Sequence, residues 1–230
     1  MIQCTVQQQC AFIQLSRPEK AHAYTQDMLL QLQNFFQDIS DRCSIVVIHS
    51  KGHRAFCAGA DLQEMKAKRA EDALDLLSQK VFQQIATSSC ISIASIHGPA
   101  IAGGFELALA CDLRVASKNA FFSLPEVSLG LIPSAGGSTR LTQLLGASVA
   151  KGVILGGGTI TGEQAFRWGL VHKLEDEPFA AAEHWATELS TRDPLALRLA
   201  KSVINQPSLE KERLAEAILY ERKFGHEISE

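Results

Sequence analysis

The chain is predicted to be an α/β protein built from strand–helix units. Three observations carry this: short β-rich runs alternate with helical patterns, two small-residue turns each lie between a strand and a helix, and the pattern from Asp193 onward is helical.

In order, the expected strands are Ala11–Leu15 (AFIQL), Ile45–His49 (IVVIH), Ile91–Ile96 (ISIASI), Leu113–Ala116 (LRVA) and Leu170–Leu174 (LVHKL). Between the first two, Met28, Leu29, Leu32, Phe35, Phe36 and Ile39 share one face at helical spacing. The first glycine-bearing turn is Ala55-Phe-Cys-Ala-Gly-Ala-Asp61, running into LQEM. The second is His97-Gly-Pro-Ala-Ile-Ala-Gly-Gly-Phe-Glu106, running into LALACD. Lys66–Lys80 is charge-rich with a weak apolar stripe and reads as a solvated helix face. Thr161 and Gln164 have capping-box spacing at the start of another helix. After Asp193, Pro194 sits at a first-turn position, and Leu195, Leu197, Leu199, Val203 and Ile204 are too continuous for a helix facing only water. The expected division is a core over residues 1–192 and a helical region over residues 193–230.

Composition narrows the function classes. The chain has 230 residues, 46% hydrophobic and 20% charged, enough apolar content for a closed core. A formal net charge of −3 offers no footprint for nucleic acid and no polybasic membrane anchor. Neither a secretory leader nor a run of 18 apolar residues is visible. Cys4, Cys10, Cys43, Cys57, Cys90 and Cys111 form no CxxC pair and read as small buried thiols of a cytoplasmic protein. The histidines show no ligand-like clustering, so no metal is expected.

The two turns could carry chemistry. A small-residue turn feeding a helix presents backbone N–H groups without intrahelical partners, in the positive field of the helix N-terminus. Small residues at Ala58, Gly59, Gly103 and Gly104 would let a ligand approach the backbone closely. Two such turns could converge on one oxygen as an oxyanion hole; equally, these glycines could serve only turning and close packing. Two acids stand in apolar surroundings: Glu106 in FELALAC and Glu126 in FFSLPEVSLGLIP. Burial there would raise a carboxyl pKa toward the range of general acid–base work. The alternative is that Glu106 complements the helix dipole and that Glu126 stabilises a turn.

These segments resemble a known family. RAFCAGADLQEM is similar to the first signature of the crotonase superfamily, the enoyl-CoA hydratases and isomerases, and IHGPAIAGGFELALACDLRVAS to the second. NAFFSLPEVSLGLIPSAGGSTRLTQLLG resembles the third, ITGEQAFRWGLVHKL the helix and strand that follow, and SRPEKAHAYTQDML the opening. The resemblance implies a spiral of repeated ββα units with a helical C-terminal region. It further implies that the N–H groups of Ala58 and Gly103 hold a thioester carbonyl. Ala58, Gly59, Ala60 and Asp61, with Gly103 and Gly104, would line the acyl-thioester path, and the backbone near Lys20 and Ala21 would meet the nucleotide of coenzyme A. Glu106 and Glu126 match the two acids of the hydratases, Glu106 activating water and Glu126 protonating Cα. Coenzyme A enters only as the substrate's carrier, and no separate cofactor is implied. A homotrimer or dimer of trimers is expected, packed through the Pro194–Ile204 helix. Three readings compete: a Δ3,Δ2-enoyl isomerase with Glu126 as its base, a biosynthetic member of the superfamily acting on acyl thioesters bound to a carrier protein, and an inactive scaffold.

Three positions depart from the pattern. His22 replaces a usual asparagine and reads as structural. Phe105, where many hydratases have a smaller residue, could narrow the pocket. The chain stops at FGHEISE without a glycine-led C-terminal segment, so weaker grip on the nucleotide, or a substrate carried on acyl carrier protein, is expected.

Overall fold

A computed structural model describes residues 1–39, 42–52, 54–67 and 69–225. The larger sheet contains β1 (Ile2–Gln7), β2 (Cys10–Leu15), β3 (Ile45–Ser50), β4 (Ile91–Ile96), β6 (Leu113–Ala116) and β9 (Lys173–Leu174), adjacent in that order. The β1–β2 pair is antiparallel and the remaining pairs are parallel. A smaller sheet joins β5 (Ala100–Ile101), β7 (Phe121–Ser123) and β8 (Thr159–Thr161). Helices α1 (Gln26–Asp38), α2 (Leu62–Ala67), α3 (Leu77–Thr87), α4 (Gly103–Ala110) and α5 (Gly137–Ile154) surround the site described below. They are followed by α6 (Gly162–Arg167), α7 (Pro178–Ser190), α8 (Pro194–Asn205) and α9 (Leu209–Phe224).

The path is a spiral. β4 lies in the larger sheet, β5 in the smaller one, and α4 follows; β6 and β7 repeat the same step. The first turn joins the smaller sheet by one bridge, Cys57 to Ala100. Sequentially distant turns are thereby stacked side by side.

Burial on both faces explains why β3 and β4 read as unbroken apolar runs rather than alternating ones. Ala11, Ile13, Leu15, Val46 and Ile48 face a core shared with α1, α3 and α4. Phe12, Ile45, Val47, Ile91 and Ile93 face the opposite way, onto Ala182, Ala186 and Leu189 of α7. Helix α4 is buried along its whole length, as its all-round apolar sequence requires. Its C-terminal end is capped by the buried Arg114, which donates from Nη1 to the carbonyls of Ala108 (3.2 Å) and Cys111 (2.6 Å). Arg114 Nε donates to the Leu170 carbonyl at 2.6 Å.

Two expectations change. The strand expected over Leu170–Leu174 is confined to Lys173–Leu174, because the Val171 N–H turns back to the Ala165 carbonyl at 3.0 Å. Lys66–Lys80 is divided between the end of α2, a 3-10 turn at Ala70–Ala73 and the start of α3, with Lys68 outside the described residues. The capping box at Thr161 and Gln164 and the first-turn Pro194 are present. The chain-end expectation falls partly on residues 226–230, which lie outside the described residues.

Helix α8 is attached to the core by a buried ion pair. Lys201 Nζ donates to Asp112 Oδ2 and to the Cys90 carbonyl, each at 2.8 Å. Asp112 Oδ2 also accepts from the Ser92 N–H at 2.7 Å and the Ser92 hydroxyl at 2.8 Å. Removing one member of such a pair leaves the other charge buried without its partner. Lys201→Ala is therefore expected to lower unfolding free energy by about 3–5 kcal/mol in urea titration. A loss of a few tenths would show that water reaches Asp112 freely.

Candidate active site

The site begins where the two turns meet. The Phe56 and Cys57 N–H groups donate to the Pro99 carbonyl at 2.9 and 3.3 Å, and the Ile101 N–H donates to the Cys57 carbonyl at 2.9 Å. So close a stack demands small residues. A Cβ on Gly104 would collide with the Cys57 carbonyl oxygen, and one on Gly59 would stand 3.0 Å from the Gly103 nitrogen. Gly59 also adopts φ +94, a region that L side chains rarely tolerate. Of the two roles open to these glycines, close packing is evident, and it brings the first turn against the start of α4.

The free N–H groups are not quite the expected pair. Ala58 donates its N–H to the Ala21 carbonyl at 3.0 Å, so the assignment of Ala58 as an oxygen-binding donor is corrected. Ala21 lies in the left-handed region, φ 48, which aims its carbonyl at the turn. On the next stretch, the Tyr24 N–H donates to the Gly59 carbonyl (2.8 Å) and the Asp61 N–H to the Tyr24 carbonyl (2.9 Å). In such a parallel bridge the residue between the two bonded groups turns its own N–H to the opposite side. That residue is Ala60, next to Gly59, whose Cβ would stand 3.0 Å from the Gly103 nitrogen at the start of α4. Among the described residues, neither the Ala60 nor the Gly103 N–H has a backbone or side-chain acceptor. Ala102 precedes Gly103 at φ 52 and ψ −128, an uncommon conformation for a residue with a side chain.

Both acids are buried, Glu106 at 4% exposure and Glu126 at 9%. Glu106 Oε1 accepts from the Ala135 and Gly137 N–H groups, each at 2.8 Å. A Cβ on Gly137 would stand 2.9 Å from Glu106 Cγ, so this loop also needs a glycine to close over the acid. Burial is the main cause that pushes the Glu106 pKa up to about 7; the Glu126 charge adds to it, while the Gly137 and Ala135 N–H groups and Arg140 oppose it. Glu126 lies in the 3-10 turn Pro125–Leu129, and burial raises its pKa too. Among the described residues Glu126 Oε2 is buried with no hydrogen-bond partner.

The other expected site residues take different parts. Lys20 is exposed at the end of the 3-10 turn Pro18–Lys20, beside Ala21. Asp61, expected along the acyl path, has a carboxylate that accepts from Arg17 Nη2 and the Gln63 N–H, each at 2.9 Å, and so secures the turn. Those two contacts, the Gln63 N–H first, hold its pKa below the usual carboxylate range. His22 is buried away from the acids; its Nδ1 accepts from the Arg17 N–H at 3.2 Å. Phe105 does not narrow the pocket. Its ring turns fully into the core against Phe122, with centroids 5.1 Å apart.

Sequence reasoning missed Tyr24 and Arg140. The Tyr24 phenol occupies the space where a Gly103 Cβ would lie: that atom would collide with the hydroxyl and stand 2.8 Å from Cζ. Arg140 fastens the loop over Glu106 by donating from Nη1 to the Ala135 carbonyl at 2.9 Å. An aromatic in YTQDML and an arginine in a helical segment carry no local signal of either contact. Among the described residues no group of three or more His, Cys, Asp or Glu could hold a metal ion, and no helix is long and apolar enough to cross a membrane.

The chain is similar to known proteins over most of its length. A family model described as enoyl-CoA hydratase/isomerase matches residues 5–230. The 2,3-dehydroadipyl-CoA hydratase of Escherichia coli is 36% identical over 203 residues, covering 87% of this chain and 80% of that protein. The short-chain-enoyl-CoA hydratase of Clostridium acetobutylicum is 34% identical over 202 residues, covering 85% and 77%. The crystal structure of an enoyl-CoA hydratase from Bacillus anthracis superposes with a TM-score of 0.90 at 31% identity, covering 98% of this chain and 92% of that one. With both glycine turns and both acids inside the matched region, the chain belongs to the enoyl-CoA hydratase/isomerase family of the crotonase superfamily and is an enzyme of the enoyl-CoA hydratase type.

Proposed function

We propose that the protein adds water to 2-enoyl-CoA thioesters, giving 3-hydroxyacyl-CoA thioesters, and catalyses the reverse dehydration. The observation that supports this most is the pair of buried carboxyls, both with raised pKa values, in a chain whose Ala60 and Gly103 N–H groups have no acceptor among the described residues. The Ala60 and Gly103 N–H groups hold the thioester carbonyl oxygen, drawing electrons from the double bond and stabilising the enolate. One such donor is typically worth about 3 kcal/mol of barrier. Glu106, kept in orientation by Ala135 and Gly137, takes a proton from water as its oxygen bonds to Cβ. Protonated Glu126 delivers its proton to Cα. One water is consumed, and Glu106 is left protonated and Glu126 ionised, the arrangement from which dehydration starts. The nucleotide end of the substrate meets the surface at Lys20 and Ala21.

A second reading rests on Glu126 Oε2, which lacks a protein partner among the described residues. A single base so placed would suffice to move a proton between Cα and Cγ in an isomerase. Assembly into a homotrimer or dimer of trimers is part of the proposal. It is supported by the exposure of Ile204, Leu209, Leu214, Tyr220 and Phe224 along α8 and α9.

Glu106→Gln and Glu126→Gln are each expected to lower kcat for crotonyl-CoA hydration at least about a hundredfold with little change in binding. Loss in Glu126→Gln alone would move the assignment to the isomerase. Since Glu106 must be ionised to accept a proton, kcat/KM should rise with pH through about 7, and this limb should vanish in Glu106→Gln. Gly103→Val should abolish turnover, because its side chain would run into Tyr24 and displace the donor turn. Sedimentation at micromolar concentration should give a trimer or hexamer; a fully active monomer would rule that assembly out.

A further inference from the structure

Tyr24 is buried, yet hydration as derived above makes no use of its side chain. Its backbone is a strut, bonded on either side of Ala60. Its phenol passes under the donor turn and ends against Gly103, with the ring edge-on to Phe82 at 5.8 Å between centroids. Burial, chiefly, and then the charges of Cys57, Glu106 and Glu126 raise its pKa well above the ordinary tyrosine value, so the group remains a neutral hydroxyl. Gly103 and Glu106 stand three positions apart on α4 and so share one face of it, and the Tyr24 hydroxyl lies where a Gly103 Cβ would project, on the face that carries the acid. A thioester whose oxygen rests on Ala60 and Gly103 presents Cα toward those acids.

From this placement we infer that Tyr24 is a specificity-determining residue, whose hydroxyl walls the pocket beside Cα and excludes acyl groups carrying a methyl branch at that carbon. The inference rests on the hydration reading and on the carbonyl being held by Ala60 and Gly103. A hydroxyl oxygen occupies about the space of a methyl group, and one methyl in a shaped pocket typically changes kcat/KM by about 10–200-fold.

The test compares kcat/KM for crotonyl-CoA and 2-methylcrotonyl-CoA in the wild-type protein, Tyr24→Phe and Tyr24→Ala. The wild-type protein is expected to prefer the unbranched ester at least about tenfold. Tyr24→Phe retains the ring against Phe82 and should reduce that preference at least about threefold, and Tyr24→Ala should reduce it further. An unchanged ratio in Tyr24→Phe, with crotonyl-CoA still hydrated, overturns the role of the hydroxyl. Should Tyr24→Ala fail to fold, as circular dichroism would reveal, Tyr24→Phe alone decides. A wild-type protein that hydrates neither ester overturns the proposed function itself, a result separable from an unchanged ratio.

Discussion

Helix α4 can reach the first turn only through residues without side chains, and the whole site hangs on that approach. Gly104 rests on the Cys57 carbonyl, while Gly59 lies against the Gly103 nitrogen. The hydrogen bonds between Phe56, Cys57, Pro99 and Ile101 hold the turns in register. A side chain at Gly59 or Gly104 would push the two turns apart and shift Ala60 away from Gly103. Backbone donors fixed by a packed core do not have to reorganise as charge develops, the condition under which such donors act most strongly.

The same helix carries Glu106 into the interior, where an ionised carboxyl is costly. That cost is moderated: two N–H groups from the Pro133–Gly137 loop bond to Oε1, and Arg140 holds the loop. The remaining shift leaves Glu106 near neutrality, able to take or return a proton. Glu126 receives no such compensation at Oε2 among the described residues. Two acids of the same residue type therefore stand in unlike surroundings, which suits unlike roles.

Farther away, buried polar contacts lock the ends of elements around the site. Arg114 caps the last carbonyls of α4, and the Lys201–Asp112 pair seats α8 beside it. Directional bonds at the C-terminal end of α4 hold its position, and with it the placement of Gly103 and Glu106.

Much of this was legible in the residues. Unbroken apolar runs in IVVIH and ISIASI mark strands buried on both faces, and Thr161 with Gln164 marks a helix start, because such signals are local. The two glycine turns and the acids in FELALAC and SLPEVSLG could be read for the same reason: small residues or a carboxylate in apolar surroundings require a cause within a few positions. Short strands such as β5 and β7 were not legible, since two or three residues carry no period. Tertiary structure alone decided which N–H groups are free, because Ala58 is claimed by Ala21 and Ala60 is turned away by Tyr24, both far off in sequence. It also sent Phe105 into the core and brought the Tyr24 hydroxyl to Gly103. The sequence by itself determined which chemical groups were available; the choice among possible partners came from packing between distant segments, where geometry selects which hydrogen bonds form.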